Sequence, residues 1–470
     1  MVRCRTGRRP GGLRDGGGQK GGLKEAFASE VATEIEALIG PGAVDGLDFE
    51  ALETAARRQA LHVAARAIER RFNSDTSDHA GPTLACTKCG QPARYGGRHH
   101  KTFTTALGEL TLSRAYYHCE PCAAGFCPRD RALGLHDSSL SPAATRMVGK
   151  SAAMVSFAES SELMHELAGL AVAAKQVERT AEALGREIAC DERAVVEASP
   201  PSAPTMYLGM DGTGVPVRTS ELEGRKGKQP DGSAKTREVK LVTVWTAEGR
   251  DQEGTPVRDA GSVSYSAAIE SAASRDTDET LSDFAQRADR EARRSGFTQA
   301  QRRVVLGDGA PWIWNLAGEL FPGAEQIVDL FHAKGHLSDA AKAIYGTGSE
   351  LGEQWGKQRR DELEEGKIEA VLAELRVHAG AIDEARKCLG YITTNRERMR
   401  YPEFRDQGLC TSTGVVEAGC KTAVGTRLKR AGMHWTVAGA DAIIALRCCV
   451  LSGRFEGFWE RRSAPVGAGQ

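Results

Sequence analysis

The sequence has almost no net charge of either sign. Its 62 Lys and Arg stand against 63 Asp and Glu, leaving a formal −1 over 470 residues. Bulk electrostatics therefore do not mark the whole chain as a polyanion binder. No apolar run reaches membrane length, and Met1 to Lys24 has no apolar core of the secretory kind. From these absences neither a spanning helix nor a signal peptide is expected, and a cytoplasmic protein without a membrane partner is. Proline is not enriched, and 40% hydrophobic with 27% charged residues is the composition of a globular chain. A disulfide framework is also unexpected: the 12 cysteines are spread over a long chain, and several form CxxC pairs, which points to a metal site. At this length, two to four units are expected, on the order of 100–200 residues each.

What charge there is lies unevenly. Residues 1–22 are rich in Arg and Gly and read as a disordered tail, or as a start-site extension, because they cannot bury enough surface to offset chain entropy. Residues 23–82 repeat apolar positions at helical spacing, as two amphipathic helices broken at Gly40-Pro41-Gly42. Residues 83–130 alternate like short strands, with Gly108 at a hairpin turn. Residues 139–197 return to helix, and the Pro/Ser-rich stretch Ala198 to Pro204 reads as a linker. From 205 to 462 the order is strands, a helix, further strands, a charged helical block near 335–400 and two last helices, which suits an α/β domain with a helical insertion.

Cys86-x-x-Cys89 and Cys119-x-x-Cys122 flank the expected hairpin at the spacing of a zinc-ribbon-like module, four thiolates enclosing one structural Zn²⁺. Cys127, His99, His100 and His118 are spare ligand candidates. Further on, Phe157 to Leu167, a short turn and Ala173 to Ile188 have the layout of a helix-turn-helix. Lys175, Gln176 and Arg179 would face DNA there, while Val177, Ala181 and Leu184 pack inward.

Two acids share one context: Leu208-Gly209-Met210-Asp211-Gly212 and Val305-Leu306-Gly307-Asp308-Gly309 each put an aspartate at the expected end of a hydrophobic strand, before a glycine. Such a carboxylate sits on a rigid element with room beside it, as a metal ligand requires, although a strand-end Asp also starts turns and caps helices. Tyr207 to Gly214 and Gly307 to Trp314, together with Thr411-Ser412-Thr413-Gly414-Val415-Val416-Glu417-Ala418-Gly419-Cys420-Lys421 followed by Arg427-Leu428-Lys429-Arg430, resemble the ISKra4 family of insertion-sequence transposases. The resemblance covers most of Met206 to Arg462. It implies an α/β RNase H-like core of the DDE group whose triad is Asp211, Asp308 and Glu417, with Glu417 in the first turn of a helix. It also implies two Mg²⁺ (or Mn²⁺) ions held by those carboxylates, roughly 3.5–4 Å apart, one activating the attacking water or 3′-hydroxyl and the other the leaving oxygen. Asp211 would bridge both ions.

Around that triad, His332 and His336 have i, i+4 spacing that could bind zinc, but no Cys or Glu nearby completes such a site. The resemblance instead implies that His332 contacts the scissile phosphate, with packing or capping as the plainer alternative. Arg427, Lys429 and Arg430 suit phosphate contacts, or else form a solvated helix face. Trp312 and Trp314 could stack on flipped bases or belong to the core. The expected activity is cleavage at transposon ends and strand transfer into target DNA, with terminal inverted repeats bound by the N-terminal half and a homo-oligomer pairing two ends. A nuclease or resolvase on the same core, and an inactive zinc-dependent DNA-binding protein, are the competing readings.

Overall fold

The computed structural model describes residues 48–463 apart from 137, 195–198, 228, 230–231, 253, 274–280 and 413, together with 25, 27–29, 31–33 and 35–36. The expected Arg/Gly tail and the break at Gly40 fall outside the described residues. The chain divides into two compact units: one holds the described residues up to Thr145 together with Met164–Val172, the other Arg146–Leu163 and the rest.

The first unit starts with α1 (Phe49–Ser74), whose N-terminus is capped by the Asp48 carboxylate accepting from the Glu50 and Ala51 N–H groups. Strands β1 (Thr83–Ala85), β2 (Pro92–Thr105), β3 (Gly108–Cys119) and β4 (Ala124–Phe126) follow as an antiparallel sheet in that order. The β2–β3 hairpin turns at Gly108, at φ +106°, as its sequence predicts. Phe103, Leu110, Leu112 and Tyr117 are buried, and α2 (Pro128–Ala132) closes the sheet through a buried Arg114–Asp130 ion pair.

Residues 139–197 contain α3 (Pro142–Met154), α4 (Phe157–Ala168) and α5 (Ala174–Ala194), and they are shared between the two units. Val177, Ala181 and Leu184 are buried on α5, as the periodicity predicts.

The second unit is built on a five-stranded mixed sheet: β5 (Thr205–Pro216), β6 (Thr236–Thr246), β9 (Ser264–Ala268), β10 (Arg302–Gly307) and β11 (Glu325–Val328), in the order β11-β10-β5-β6-β9. A two-residue ribbon, β7 (Gly249–Arg250) with β8 (Pro256–Val257), lies between β6 and β9 in sequence. Strands β5, β6 and β9 pair antiparallel, while β10 runs parallel to both β5 and β11. Helices α6 (Asp283–Arg294) and α7 (Pro311–Leu320) cover one face. There Gly307 leaves room for Ile313, and Arg287 donates to the Ser266 hydroxyl at 3.0 Å.

The insertion consists of α8 (Leu330–Tyr345), α9 (Glu350–Glu364), α10 (Ile368–Ala379) and α11 (Asp383–Asn395), close to the expected limits, followed by α12 (Tyr401–Asp406). On the other face of the sheet lies α13 (Gly414–Gly419), continued by a π turn, Cys420–Gly425, and by α14 (Thr426–Leu428). Gly209 lacks the side chain that would strike Val416, and Gly419 sits against Leu241, Thr243 and Tyr265. Helix α15 (Val437–Leu451) packs between β9 and α5, and α16 (Phe455–Ser463) is the last element. Fold class is thus mixed α/β, with helices on both faces of the larger sheet.

The α5–α15 contact is close enough to test. A Cβ at Gly185 would overlap the backbone carbonyl of Ala442, which no side-chain rotation can relieve. Gly185→Ala should destabilise the second unit by about 1–3 kcal/mol, as overpacking does. Urea unfolding followed by tryptophan fluorescence measures it.

Candidate functional site

The β5–β10 pairing sets the geometry. Leu306 lies opposite Gly209 in parallel register, and continuing that register by two residues puts Asp308 beside Asp211. Period-two alternation then aims both carboxylates to the face carrying α13, from strands about 4.8 Å apart. Asp211 departs from expectation in one respect. It is inside β5 and paired with Leu241, because Gly212 and Gly214 continue the ladder while Glu238 and Thr236 side chains lie across them. Asp308 follows β10 directly, as predicted.

Both aspartates open into a cleft of about 510 Å³, lined also by Asp329, His332, His336, Asp339 and Glu417. All three predicted carboxylates therefore meet one cavity. Burial raises the Asp211 carboxyl above the ordinary range and the Asp308 charge adds to this, against hydrogen bonds from the Cys420 thiol and the Gly212 N–H (2.6 Å). Asp308 accepts from the Ala310 N–H at 2.9 Å. Among the described residues, no cationic side chain lies within ion-pair distance of either aspartate. Glu417 is different. Its side chain is 69% exposed and bonded to Lys421 at 2.8 Å. Consistent with that outward turn, the three carboxylates do not close to within 4.8 Å of one another.

Residues that sequence reasoning passed over complete the walls. Tyr391, from α11, donates its hydroxyl to the Asp308 carbonyl oxygen at 2.7 Å, and its ring packs on His336 with centroids 4.1 Å apart. The same ring occupies the space a Cβ at Gly309 would need, and Gly309 sits at φ +97°, so this position requires glycine twice over. No local signal connects Tyr391 to a motif more than eighty residues earlier. Asp329 had a visible one. It is the N-cap of α8, accepting from the His332 N–H, as an Asp before an apolar run should be. Cys420 is legible only through its neighbour Glu417.

His332 is exposed at the cleft, and with His336 forms an edge-to-face pair at 5.0 Å. Burial, reinforced by His332, pushes His336 down. Trp314 is buried beneath the Arg398 guanidinium, and Trp312 packs on Phe284 and Lys240, so both tryptophans are core residues here.

The basic residues after Glu417 are corrected in part. Arg427 is 0% exposed, held between the Phe157 and Trp435 rings with its Nε donating to the Ala152 carbonyl at 2.9 Å, and it cannot reach a phosphate. The π turn at 420–425 shifts the helical phase and carries Arg427 inward. Arg430 is exposed but its guanidinium is gripped by Glu159, and the exposed Lys429 donates to the Thr213 hydroxyl. On α5, Lys175 is exposed and paired with Glu178 at 2.8 Å, Arg179 is exposed, and Gln176 is half-buried.

In the first unit, Cys86, Cys89, Cys119 and Cys122 bring their sulfurs within 4.8 Å of one another, a cluster that could hold a metal ion such as zinc. Each knuckle ends on a left-handed residue, Gly90 at φ +73° and Ala123 at φ +50°. The Lys88 N–H points to the Cys86 sulfur at 3.4 Å and holds that thiol down at about 6. Cys127, His99, His100 and His118 stand outside the cluster, and His99 is stacked on Tyr116.

Comparison with known proteins gives a family match over residues 91–463, to a model described as an uncharacterised protein family, UPF0236. That span is most of the chain. The chain belongs to the UPF0236 family. None of the curated proteins compared with it matches. The UPF0236 span includes the three cleft carboxylates and the second cysteine pair, while Cys86 and Cys89 precede it. Among the described residues of this UPF0236 member, no helix is long and apolar enough to cross a membrane.

A carboxyl raised by burial binds its proton more tightly folded than unfolded. Folding stability contributed by Asp211 is therefore present at low pH and is lost as pH rises through its folded-state value. At neutral pH the ionised form is a net cost. In chelator, Asp211→Asn should accordingly have a higher melting temperature than the unaltered chain, and added Mg²⁺ should narrow the gap by stabilising only the latter. A calorimetric scan in both conditions reads the difference.

Proposed function

We propose that this chain is a DDE-type DNA transposase of the ISKra4 kind, with an RNase H-like core and Asp211, Asp308 and Glu417 as its catalytic carboxylates. One observation carries the reading: two like-charged carboxylates fixed side by side at a strand junction, with no cationic partner, open into the cleft that also receives Glu417. An arrangement that burial and mutual repulsion both disfavour is explained by a cation that binds there. The donors fit a hard ion. They are carboxylate oxygens, suited to Mg²⁺ or Mn²⁺, whereas the Cys420 thiol is pushed far up by burial and the Asp211 charge and stays a proton donor. Two Mg²⁺ ions, when bound, would activate the attacking water or 3′-hydroxyl and stabilise the leaving oxygen.

The protein's own part follows from its side chains. Asp211 and Asp308 need no rearrangement, because a paired β-strand and the Ala310 and Tyr391 hydrogen bonds hold them. Glu417 must leave Lys421. That surface pair contributes at most about 1 kcal/mol, so the swing is inexpensive and frees Lys421 for a phosphate. His332, exposed at the same cleft, would donate to a phosphate oxygen. Recognition of terminal inverted repeats would fall to Lys175, Gln176 and Arg179 on α5 and to the ribbon-like sheet whose four cysteines would hold Zn²⁺, and a homo-oligomer would pair the ends in the bacterial cytoplasm.

Asp211→Asn and Asp308→Asn should each keep DNA affinity and lower cleavage at least ~10³-fold, the scale of losing a principal electrostatic stabiliser. Unimpaired cleavage by either variant would end this assignment. Pre-cut ends supplied with target DNA should yield joined products; cutting without joining would point to a nuclease or resolvase.

Zinc is tested separately. Purified protein should carry about one zinc per chain, because four thiolates complete one tetrahedral shell. Cys119→Ser should lose the metal and lower the unfolding midpoint of the first unit, read by atomic absorption and circular dichroism.

A further inference from the structure

The basic residues singled out along the sequence prove largely occupied, yet a second cavity in the same unit collects cations that no motif marked. It measures about 530 Å³ and is formed by the loop after β5, the start of β6 and the segment following β9. Arg225, Lys226, Arg237 and Lys240 line it, with Glu238 and Glu270. The two acids are already satisfied: Glu238 holds Lys240 at 2.8 Å, and Glu270 receives a forked pair of hydrogen bonds from Arg287 at 2.8 and 2.7 Å. Lys240 is buried and sits 4.1 Å over the Trp312 ring, so it too is committed.

Arg225, Lys226 and Arg237 remain. Among the described residues, none of the three has an acidic side chain within ion-pair distance. Arg237 is half-buried, and burial together with the nearby Arg225 charge lowers its proton affinity. Folding has crowded these cations at one opening without an ion-pair partner, and only the longer-range charges of Glu221 and Asp441 favour the Arg237 cation; an anion completes the set. The Arg225 and Arg237 guanidinium groups offer planar, forked donors of the kind that grips phosphate, and Lys226 adds an ammonium point charge.

We propose that this cavity binds phosphate, and that its source is the backbone of the DNA on which the chain acts. The identification of the source rests on the transposase reading; the phosphate chemistry does not. Position on the hairpin favours a polymer over a free ion. Arg237 is the register partner of Val215, four residues along β5 from Asp211, a separation of roughly 13 Å at the rise of a β-strand. A duplex whose scissile phosphate lies at Asp211 carries further phosphates over that range, because its strands bear a charge every 3.4 Å or so of axis. The cavity thus gives the DNA a second point of attachment and orients the duplex across the carboxylates.

The test is the salt dependence of duplex binding by the full chain, measured by fluorescence anisotropy in chelator so that cleavage does not intervene. Each neutralised phosphate contributes about 0.9 to the slope of log affinity against log salt. Arg225→Gln combined with Arg237→Gln should shrink that slope by about 2 and weaken binding at low salt, and Lys226→Gln alone by about 1. Lys387→Gln, an exposed α11 lysine paired with Glu384, should leave it unchanged. Lys226 is exposed, so its variant keeps the test open should the double variant unfold. An unmoved slope in both overturns the proposal, and the transposase reading still stands if Asp308→Asn abolishes cleavage. A reduced slope with no cleavage under any condition supports the cavity and sinks the catalytic reading. Inorganic phosphate titrated by calorimetry separates the two sources. Phosphate binding lost in the variants while the DNA slope stays fixed would assign the cavity to a free ion and overturn the backbone assignment.

Discussion

Repulsion between Asp211 and Asp308 is the constraint around which the larger unit is arranged. Two carboxylates on neighbouring parallel strands, in register and on one face, cannot both be comfortable when partly removed from water. What keeps them together is backbone. The ladder on both sides of Asp211 prevents it from retreating, and Asp308 is pinned through its own carbonyl by Tyr391. Gly309 allows the chain to turn where the Tyr391 ring occupies the space of a side chain. Strain of this sort is stable only where surrounding structure over-determines it. Here the determining groups come from β6, from the π turn and from the last helix of the insertion.

The third carboxylate is held by a different device. Glu417 belongs to a helix whose continuation widens into a π turn, and that turn is tied down by a buried cation. Arg447 donates to the Thr422 carbonyl (2.8 Å), the Thr426 hydroxyl (2.8 Å) and the Ala153 carbonyl. Arg427 makes the equivalent bond to Ala152 and is pushed down to about 10 by burial and the neighbouring arginines. Among the described residues, neither guanidinium has an acidic side chain within ion-pair distance. Their charges are met by carbonyl oxygens at the end of α3, where the helix dipole is negative. The backbone near Glu417 is therefore rigid while its side chain stays free, which is the combination a carboxylate needs if it must change partners.

How much of this was legible in the sequence differs by feature. The β2–β3 hairpin, the cysteine knuckles, the buried face of α5 and the helical block after β11 were all readable, because each is encoded by spacing within a short window. Strand β9 was not. Ser264 to Ala268 has little apolar contrast, and it is a strand because β6 offers a free edge and α15 covers it. The position of Asp211 inside β5 was missed for a related reason. The glycine after Asp211 was read as lying beyond the strand end, yet Gly212 and Gly214 continue the ladder and Glu238 and Thr236 of the partner strand fill the space above them. Arg427 looked like part of a basic surface because helical phase was extrapolated through residues that form a π turn. Local pattern fails where a distant element supplies the missing contact.

The allocation of positive charge carries this further. Counting Lys and Arg after Glu417 suggests a phosphate-binding face, but folding consumes much of it: Arg427 and Arg447 on carbonyl oxygens, Arg430 on Glu159, Arg454 on Glu291 and Glu192. A cation already bonded inside the protein gains little from a phosphate, since it must first give up partners that compensate its desolvation. What matters for an anion is therefore the residue left unpaired, and that depends on tertiary structure alone. A chain with 62 basic and 63 acidic residues can still present local fields of one sign, because pairing is not uniform over its surface. In this unit the unpaired negative charge gathers at the strand junction, and unpaired positive charge gathers a few residues further along the same hairpin.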